Sequence, residues 1–261
     1  MAIITLTTDL GDKDIYQAAL KGSILKLLPT VNIVDITNSV AAYNVQQAAF
    51  ILKNSFHYFP DDTVHLIGID TVYSDHTKYL AVQYNNHYFV GADNGIFSLM
   101  FNHDPQEMVE INIMQDLKFL HFPLADIFVK TACHLAKGGK LTEIGIPVTG
   151  VENKMNLQPV IEKNLIKGAV IYIDSFQNVI TNITKEFFNK VQQGRQFTLY
   201  FKRNETINHL SWHYSEVPEG EKLCLFGISD HLEIAINKGN ASGLLGLNLG
   251  DSVIIDFDYT A

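Results

Sequence analysis

The chain has 261 residues and a formal net charge of −9 at pH 7, from 19 Lys and Arg against 28 Asp and Glu. This acidic balance disfavours a nucleic-acid partner, which would need a basic stripe to follow the phosphate backbone. Hydrophobic residues make up 47% of the chain and charged residues 18%. A sizeable core can therefore form, and a disordered chain is excluded. The apolar runs are strand-sized and far shorter than the roughly 20 residues of a membrane span.

The beginning of the chain and its cysteines indicate a cytoplasmic protein. The strand-like run Ile3–Thr8 begins without the basic and apolar stretches of an export signal. The two cysteines, Cys133 and Cys224, are far apart in sequence and have no partner spacing of a metal or redox motif. We therefore expect buried, reduced thiols, a cytoplasmic location, and neither a membrane nor a nucleic acid as partner.

The first 150 residues alternate between strand and helix patterns. The run Ile3–Thr8 is apolar and β-branched, and it predicts a strand that ends at the turn Asp9-Leu10-Gly11. Apolar residues then recur at helical spacing, with Asp12 or Asp14 as the N-cap and Pro29 as the stop. This alternation predicts an α/β layered domain over residues 1–150 with a mostly parallel sheet. Its other predicted elements are strands at 31–36 and 64–69, helices at 45–56 and 126–137, and a hairpin of 79–84 and 87–90 turned at Asn85-Asn86.

The pattern of predicted elements changes after about residue 150. Residues 151–166 are polar, contain Pro159 and are the expected linker. Short β-rich runs separated by Gly, Asn or Asp then predict a small β-barrel or sandwich over residues 167–261. The predicted strands are 169–173, 179–183, 197–201, 223–226, 232–236 and 253–257, with one helix at 185–192.

Two carboxylates follow strongly apolar predicted strands in the first domain. Asp9 comes after the first strand and Asp70 after the third. Ligands of an open α/β sheet bind beyond the carboxyl ends of its strands, so both residues are candidates for a site. Asp is also common in turns and at helix caps, where it needs no ligand. The pattern alone leaves both readings open.

Several familiar chemical motifs are absent from the sequence. There is no glycine-rich phosphate loop, no H-E-x-x-H zinc motif and no G-x-S-x-G nucleophile elbow. The acidic residues Asp9, Asp12 and Asp14 lack the glycine and terminal Glu of a calcium loop. His209 and His213 are four residues apart in a β-rich region, which favours one exposed face over a metal site. We therefore expect no bound metal and no catalytic triad.

Collinear motifs run through almost the whole chain. They include Leu6-Thr7-Thr8-Asp9-Leu10-Gly11, Gly91-Ala92-Asp93-Asn94-Gly95-Ile96, Ala132-Cys133-His134-Leu135-Ala136, Tyr172-Ile173-Asp174-Ser175-Phe176-Gln177-Asn178-Val179 and Leu232-Glu233-Ile234-Ala235. In this order the motifs resemble the S-adenosylmethionine (SAM) hydroxide adenosyltransferase family, whose relatives include the SAM-dependent fluorinase and chlorinase enzymes. The match in order, rather than any single motif, carries the resemblance.

The resemblance implies an activity and an assembly. The activity is the hydrolysis of SAM to adenosine and methionine by in-line attack of water on the 5′ carbon. No metal or separate cofactor is implied, because the sulfonium is already a good leaving group. The assembly is a homotrimer whose active site lies between the α/β domain of one subunit and the barrel of the next. Halogenase activity is disfavoured, since nothing in the sequence resembles the dedicated halide loop.

The resemblance also assigns roles to individual residues. Asp9 would hold the ribose hydroxyls through charge-assisted hydrogen bonds, and Asp70 would orient the attacking water. The other implied substrate-binding residues are Asn178 on the adenine edge, Phe176 and Tyr214 on the adenine faces, and Asp174 and Ser229 on the methionine. Turn chemistry or core packing is the alternative explanation for each residue of the second domain.

Two positions depart from the pattern of the hydrolytic members. Thr77 and Pro123 stand where those members carry an Arg and a His. Nearby Lys78, His76 or His121 could take the catalytic role beside Asp70, either as a cation that keeps it ionised or as a proton shuttle. These three could equally be ordinary loop side chains. Two alternative functions therefore stay open: a SAM- or adenosine-binding module that has lost catalysis, and a structural homotrimer without turnover.

Overall fold

The computed structural model describes residues 2–72, 76–202 and 205–257. It divides the chain into two compact units, Met1–Asn156 and Leu157–Ala261. The boundary lies inside 151–166, the linker predicted from the sequence. Part of that segment is regular structure, because Val160–Glu162 forms a strand paired with the one that follows.

Within the described residues, the first unit is built on a sheet of seven strands. These are β1 (Ile3–Thr8), β2 (Asn32–Thr37), β3 (Val64–Gly68), β4 (Tyr79–Tyr84), β5 (His87–Ala92), β6 (Glu107–Ile111) and β7 (Gly145–Pro147). Their order across the sheet is β2-β1-β3-β5-β4-β6-β7. The first four strands in this order pair in parallel, and the last three join through antiparallel pairs. The predicted α/β architecture is confirmed, and the sheet is mixed rather than parallel throughout.

Helices cover both faces of this sheet. They are α1 (Ile15–Leu27), α2 (Val45–Lys53), α3 (Ile96–Met100) and α4 (Ile127–Ala136). On one face, Leu20 and Ile24 of α1 share a buried cluster with Phe128 of α4. On the other face, Leu52 of α2 shares a second cluster with Phe97 of α3. Each of these fully buried side chains contributes about 1.5–3 kcal/mol by leaving water, so the sheet is held as the middle of three layers.

Local chemistry explains where several elements begin and end. Asn85 and Asn86 both have positive φ, 49° and 61°, which a two-residue hairpin turn requires and Asn tolerates, so the predicted hairpin is confirmed. Helix α2 is three residues shorter than predicted. The Asn54 side chain donates to the Phe50 carbonyl at the helix end, and a short 3₁₀ turn, Phe56–Tyr58, follows.

The second unit is an antiparallel barrel-like sheet. Its strands are β8 (Val160–Glu162), β9 (Leu165–Ile173), β10 (Val179–Thr184), β11 (Phe197–Phe201), β12 (Glu205–Ile207), β13 (Lys222–Phe226), β14 (His231–Ile236) and β15 (Ser252–Phe257), with helices α5 (Lys185–Gln192) and α6 (Ala241–Leu245). The order is β12-β11-β15-β9-β10-β14-β13, with β8 paired to β9. A bridge between Leu210 and Cys224 brings the two ends of the sheet together, and Phe188 of α5 lies in the apolar interior. The predicted small β-barrel is confirmed.

The two cysteines agree with the expectation of buried thiols. Cys133 and Cys224 are both buried and neither forms a disulfide. Burial raises the pKa of both thiols, which disfavours the reactive thiolate. In the part of the chain that the structure describes, no helix combines the length and apolar character needed to cross a membrane.

Candidate functional site

Asp9 and Asp70 follow two neighbouring parallel strands of the first unit. Thr8 at the end of β1 lies opposite Gly68 at the end of β3, and the Asp9 amide donates to the Gly68 carbonyl at 3.3 Å. Strand β1 lies between β2 and β3. The chain therefore leaves β1 towards β2 on one side and then crosses back to β3 on the other side of β1. This is the topological switch point of the sheet, where ligands of open α/β folds bind. The two candidate carboxylates therefore lie at the expected edge.

The carboxylate of Asp9 is held by the backbone of a neighbouring loop. Its Oδ2 accepts a hydrogen bond from the Tyr43 amide at 3.0 Å. The same loop is anchored to β1, because the Thr8 hydroxyl donates to Asn38 Oδ1 at 2.7 Å and the Gly11 amide donates to the Asn38 carbonyl at 2.7 Å. One oxygen of Asp9 is thus fixed, and Oδ1 remains available to accept hydrogen bonds from a ligand.

Asp70 is exposed and has a left-handed backbone with φ of 46°. A non-glycine residue in this region costs roughly 1–2 kcal/mol, and such strain clusters at ligand sites. The preceding carbonyl, that of Ile69, accepts a hydrogen bond from Asn94 Nδ2 at 2.9 Å. Asn94 Oδ1 in turn accepts from the Ile96 amide at the start of α3. This network fixes the backbone from which the Asp70 side chain projects.

The three candidate partners of Asp70 have different surroundings. Lys78 Nζ lies 3.5 Å from Glu110, and no ion pair joins Lys78 to Asp70 among the described residues. His76 is exposed and is the first residue of the described range 76–202. Lys78 therefore pairs with another carboxylate in this structure, and its role beside Asp70 stays a prediction.

His121 lies in a segment that packs on the same edge of the sheet. The adjacent Phe122 contacts Tyr16 of α1 edge-on at 5.4 Å. The Leu124 side chain occupies the space next to the Cα of Gly68, where a Cβ would lie 2.5 Å from its methyl group. His121 itself is exposed, and its role beside Asp70 stays a prediction.

In the second unit, Asp174 and Asn178 bind each other across the turn between β9 and β10. Asp174 Oδ1 accepts from the Asn178 amide at 2.8 Å, and Oδ2 accepts from Asn178 Nδ2 at 3.0 Å. The Asp174 amide also donates to the Asn178 carbonyl at 3.1 Å. Three hydrogen bonds between the two residues thus close the turn. Asn178 is buried, with its Nδ2 already used and its Oδ1 available as an acceptor.

A cavity of about 650 Å³ opens beside this turn. Its volume is within the range of small-molecule sites, about 300–1,000 Å³. Three predicted substrate-binding residues line it together, namely Phe176, Asn178 and Tyr214. The remaining lining residues are Ile236, Asn237, Lys238, Gly239 and Asn240. The Phe176 side chain is 80% exposed, so its ring is free to stack on a flat ligand.

Tyr214 is anchored by Glu233, a residue that has no predicted role in the site. Its hydroxyl donates to Glu233 Oε1 at 2.6 Å, and Glu233 itself is only 6% exposed. Burial raises the pKa of the Glu233 carboxyl, and the nearby Asp174 charge raises it further. Burial likewise raises the pKa of the Tyr214 phenol. The signal for Glu233 in the sequence is a single carboxylate within the apolar strand 231–236.

Ser229 is not among the residues that line the cavity. It belongs to the turn between β13 and β14, where its carbonyl is hydrogen-bonded to His231 Nδ1 at 2.7 Å.

Metal binding has no evident site within the described ranges, because no group of three or more His, Cys, Asp or Glu side chains there could hold an ion.

These observations define a two-unit small-molecule enzyme architecture, with carboxylates at a sheet switch point and an aromatic cavity in a β-barrel. Residues 4–145 match the SAM hydroxide adenosyltransferase N-terminal domain, and residues 168–254 match the C-terminal domain of the same family. The chain belongs to the SAM hydroxide adenosyltransferase family.

Relatives and solved structures agree with this assignment. The chain is 27% identical to (R)-S-adenosyl-L-methionine hydrolase of Methanocaldococcus jannaschii, over 97% of this chain and 95% of that protein. It is 26% identical to the hydrolase of the same name from Thermus thermophilus, over 96% and 98%. A fluorinase of Actinoplanes is more distant, at 22% over 76% of each chain. The crystal structure of an uncharacterised conserved protein from Thermotoga maritima superposes with a TM-score of 0.88, at 29% identity over 97% of this chain and 99% of that one.

Proposed function

We propose that this protein hydrolyses SAM to adenosine and methionine by in-line attack of water on the 5′ carbon. The observation that carries the proposal is the pair Asp9 and Asp70 at the switch point of a chain in this family. The hydrolase names of the relatives that match nearly the whole chain support the same reaction. Halogenation is disfavoured, because the fluorinase match is weaker and covers less of the chain.

In this proposal each carboxylate has a separate task. Asp9 holds the ribose hydroxyls through its available Oδ1, while its Oδ2 stays on the Tyr43 amide. Asp70 orients the water, and its exposed carboxylate accepts the proton and passes it to solvent. The water oxygen forms a bond to the 5′ carbon as the carbon–sulfur bond breaks, and the electron pair of that bond leaves on the methionine sulfur.

The second-unit cavity supplies the purine site in this proposal. Phe176 and Tyr214 flank the ring, and Asn178 Oδ1 accepts a hydrogen bond from the exocyclic amine. Asp174 binds the methionine ammonium with the lone pairs that its bonds to Asn178 leave unused, and Ser229 contacts the methionine carboxylate.

The proposal extends to the assembly and location of the protein. The chains associate as a homotrimer, in which the acidic edge of one copy and the cavity of another complete one site. The reaction uses no metal and no separate cofactor, since the sulfonium needs no further activation to leave. The protein works in the cytoplasm, where SAM and reduced thiols are both available.

A second candidate is a SAM- or adenosine-binding module without turnover. It is favoured by two observations on the partners of Asp70. Lys78 is paired with Glu110, and Pro123 is buried in a 3₁₀ turn at the position where hydrolytic members carry a His. This candidate predicts purine binding with no product formation.

The decisive experiment follows adenosine formation from SAM by chromatography, with wild type and Asp70→Asn. Asp62→Asn is a matched control, because Asp62 is also exposed with a left-handed φ of 64° but precedes β3 rather than following it. We expect adenosine from wild type and from Asp62→Asn, and strong loss in Asp70→Asn. In ¹⁸O water, the 5′ hydroxyl of adenosine should carry the label. Adenosine binding by calorimetry without any product would instead establish the binding module.

A further inference from the structure

Glu233 is a buried carboxylate on the outer face of the barrel. Its neighbours in β14, Leu232 and Ile234, belong to the apolar interior. Because successive side chains of a strand alternate between faces, Glu233 lies on the opposite face, beside its cross-strand partner Leu225. Leu225 and Ala235 form a small separate apolar cluster there. A carboxylate in such a position is costly unless it has a specific partner.

The partner of Glu233 is the phenol of Tyr214. Glu233 Oε1 accepts the 2.6 Å hydrogen bond from the hydroxyl, a length typical of a bond to an ionised acceptor. Its Oε2 lies against Gly227, where a Cβ would come within 2.7 Å, so Gly227 leaves the space that the carboxyl fills. Among the described residues, no Lys, Arg or His forms an ion pair with Glu233.

The bond to Glu233 is a side-chain anchor for the Tyr214 ring. Tyr214 begins a three-residue 3₁₀ turn, Tyr214–Glu216, whose N-cap makes no side-chain hydrogen bond. Tyr214 is 41% exposed and lines the cavity. An exposed ring on so short a turn would sample several rotamers without the anchor at its hydroxyl.

We propose that Glu233 is a positioning residue for the cavity, which fixes the Tyr214 ring through its hydroxyl and thereby sets the affinity for a planar ligand ring. The identity of that ring as adenine rests on the proposed function. Glu233 does not touch the ligand in this scheme. Its effect reaches the ligand through Tyr214 and therefore appears in binding rather than in the chemical step.

Four single variants and one double variant test the proposal. Glu233→Ala removes the acceptor, Glu233→Gln keeps a neutral acceptor of the same shape, and Tyr214→Phe keeps the ring but removes the donor. Leu225→Ala is the control, because it removes a buried side chain from the same face and lies opposite Glu233. Adenosine dissociation constants come from calorimetry, KM and kcat from SAM turnover, and stability from the thermal midpoint.

We expect Glu233→Ala to raise the adenosine Kd and the KM by about tenfold, the effect of losing one charge-assisted hydrogen bond, with kcat nearly unchanged. Glu233→Gln should recover most of this loss. The double variant Tyr214→Phe with Glu233→Ala should lose no more affinity than Glu233→Ala alone, because both changes break the same bond. Leu225→Ala should lower the thermal midpoint and leave Kd unchanged.

A ligand-independent readout completes the test. In protein with ¹³C-labelled tyrosine, the Tyr214 ring carbon, assigned by its loss in Tyr214→Phe, should shift in Glu233→Ala and stay near its wild-type position in Glu233→Gln. An unchanged Kd and an unchanged Tyr214 signal in Glu233→Ala would overturn the inference. Normal adenosine binding without adenosine formation from SAM would defeat the hydrolase proposal alone, so the two failures are distinguishable.

Discussion

The side chain of Asn94 supports the backbone of Asp70 through the Ile69 carbonyl. The bond from Asn94 Nδ2 to that carbonyl is 2.9 Å long and ends one residue before the strained Asp70. Asn94 lies between β5 and α3, so a residue 25 positions from Ile69 in sequence holds the chain just after β3. A carboxylate that must point at one water needs such support, because loops alone position side chains less well than regular structure.

We therefore expect Asn94→Ala to reduce kcat for SAM hydrolysis by about tenfold, with a smaller change in KM. The hydrogen bond acts on the residue that orients the water and not on the ligand. Asn102→Ala is a suitable control, because Asn102 bonds to Lys53 on the surface at 2.8 Å. Steady-state kinetics of both variants decide the point, and an Asn94→Ala enzyme with wild-type kcat would contradict it.

Asp9→Asn tests the ribose contact. The substituted amide can still accept the Tyr43 hydrogen bond through its oxygen, so the loop should stay in place. Its NH₂ group would then face the ligand, where two hydroxyls need an acceptor. We expect the adenosine Kd to rise by about 10- to 100-fold, as for a lost charge-assisted hydrogen bond. Asp12→Asn, in the same loop but bonded to Gln17, should bind adenosine like wild type.

The sequence predicted best those parts of the fold whose signal is local. Strand Phe197–Phe201 and helix Lys185–Gln192 agree with their predicted bounds, since each has a clear pattern of its own. The short elements Glu107–Ile111 and Gly145–Pro147 were missed, because they are strands only through their pairing at the far edge of the sheet. Short segments gain their structure from neighbours that a pattern search does not see.

The residues of the site show the same difference between local signals and long-range pairing. Asp9 and Asp70 stand out in sequence because each ends an apolar strand, and the structure brings those strand ends together. The mutual bonding of Asp174 and Asn178 was not predicted, although a four-residue spacing across a turn permits it. The role of Glu233 becomes visible only through its hydrogen bond to Tyr214, 19 residues away in sequence. Such a bond depends on which face of a strand is covered by a loop, and a local sequence pattern does not contain that information.

His65 should make the stability of the fold depend on pH. The residue is fully buried, and Phe89 stacks on its ring. Its Nδ1 lies 2.7 Å from Thr5 Oγ1, and its Nε2 lies 3.1 Å from His87 Nδ1. Burial, with a smaller effect of His87, lowers the pKa of His65 from 6.5 to about 3. The unfolded chain therefore binds a proton below pH 6.5 that the folded chain does not.

The sign follows from this difference in protons. Stability from His65 is fully present above pH 6.5 and is lost as the pH falls towards 3, at about 1.4 kcal/mol per pH unit. Urea unfolding between pH 7 and 5 should show this slope in wild type, and His65→Gln, although less stable at pH 7, should show a flatter profile. His209→Gln, at an exposed position, should keep the wild-type slope. NMR titration should also find the His65 ring neutral at pH 5, and a protonated ring there would contradict the prediction.

Phe176→Ala should separate ligand binding from stability at one position. The side chain is 80% exposed and lies on the cavity wall, so its loss removes little buried surface from the fold and one aromatic face from the site. We expect the adenosine Kd to rise by about tenfold, as for a lost stacking contact of 0.5–1.5 kcal/mol plus apolar burial against the ring, with the thermal midpoint unchanged. Trp212→Ala is the matched control, because Trp212 is 90% exposed and does not line the cavity. Equal effects of the two substitutions on Kd would show that the purine does not lie on Phe176.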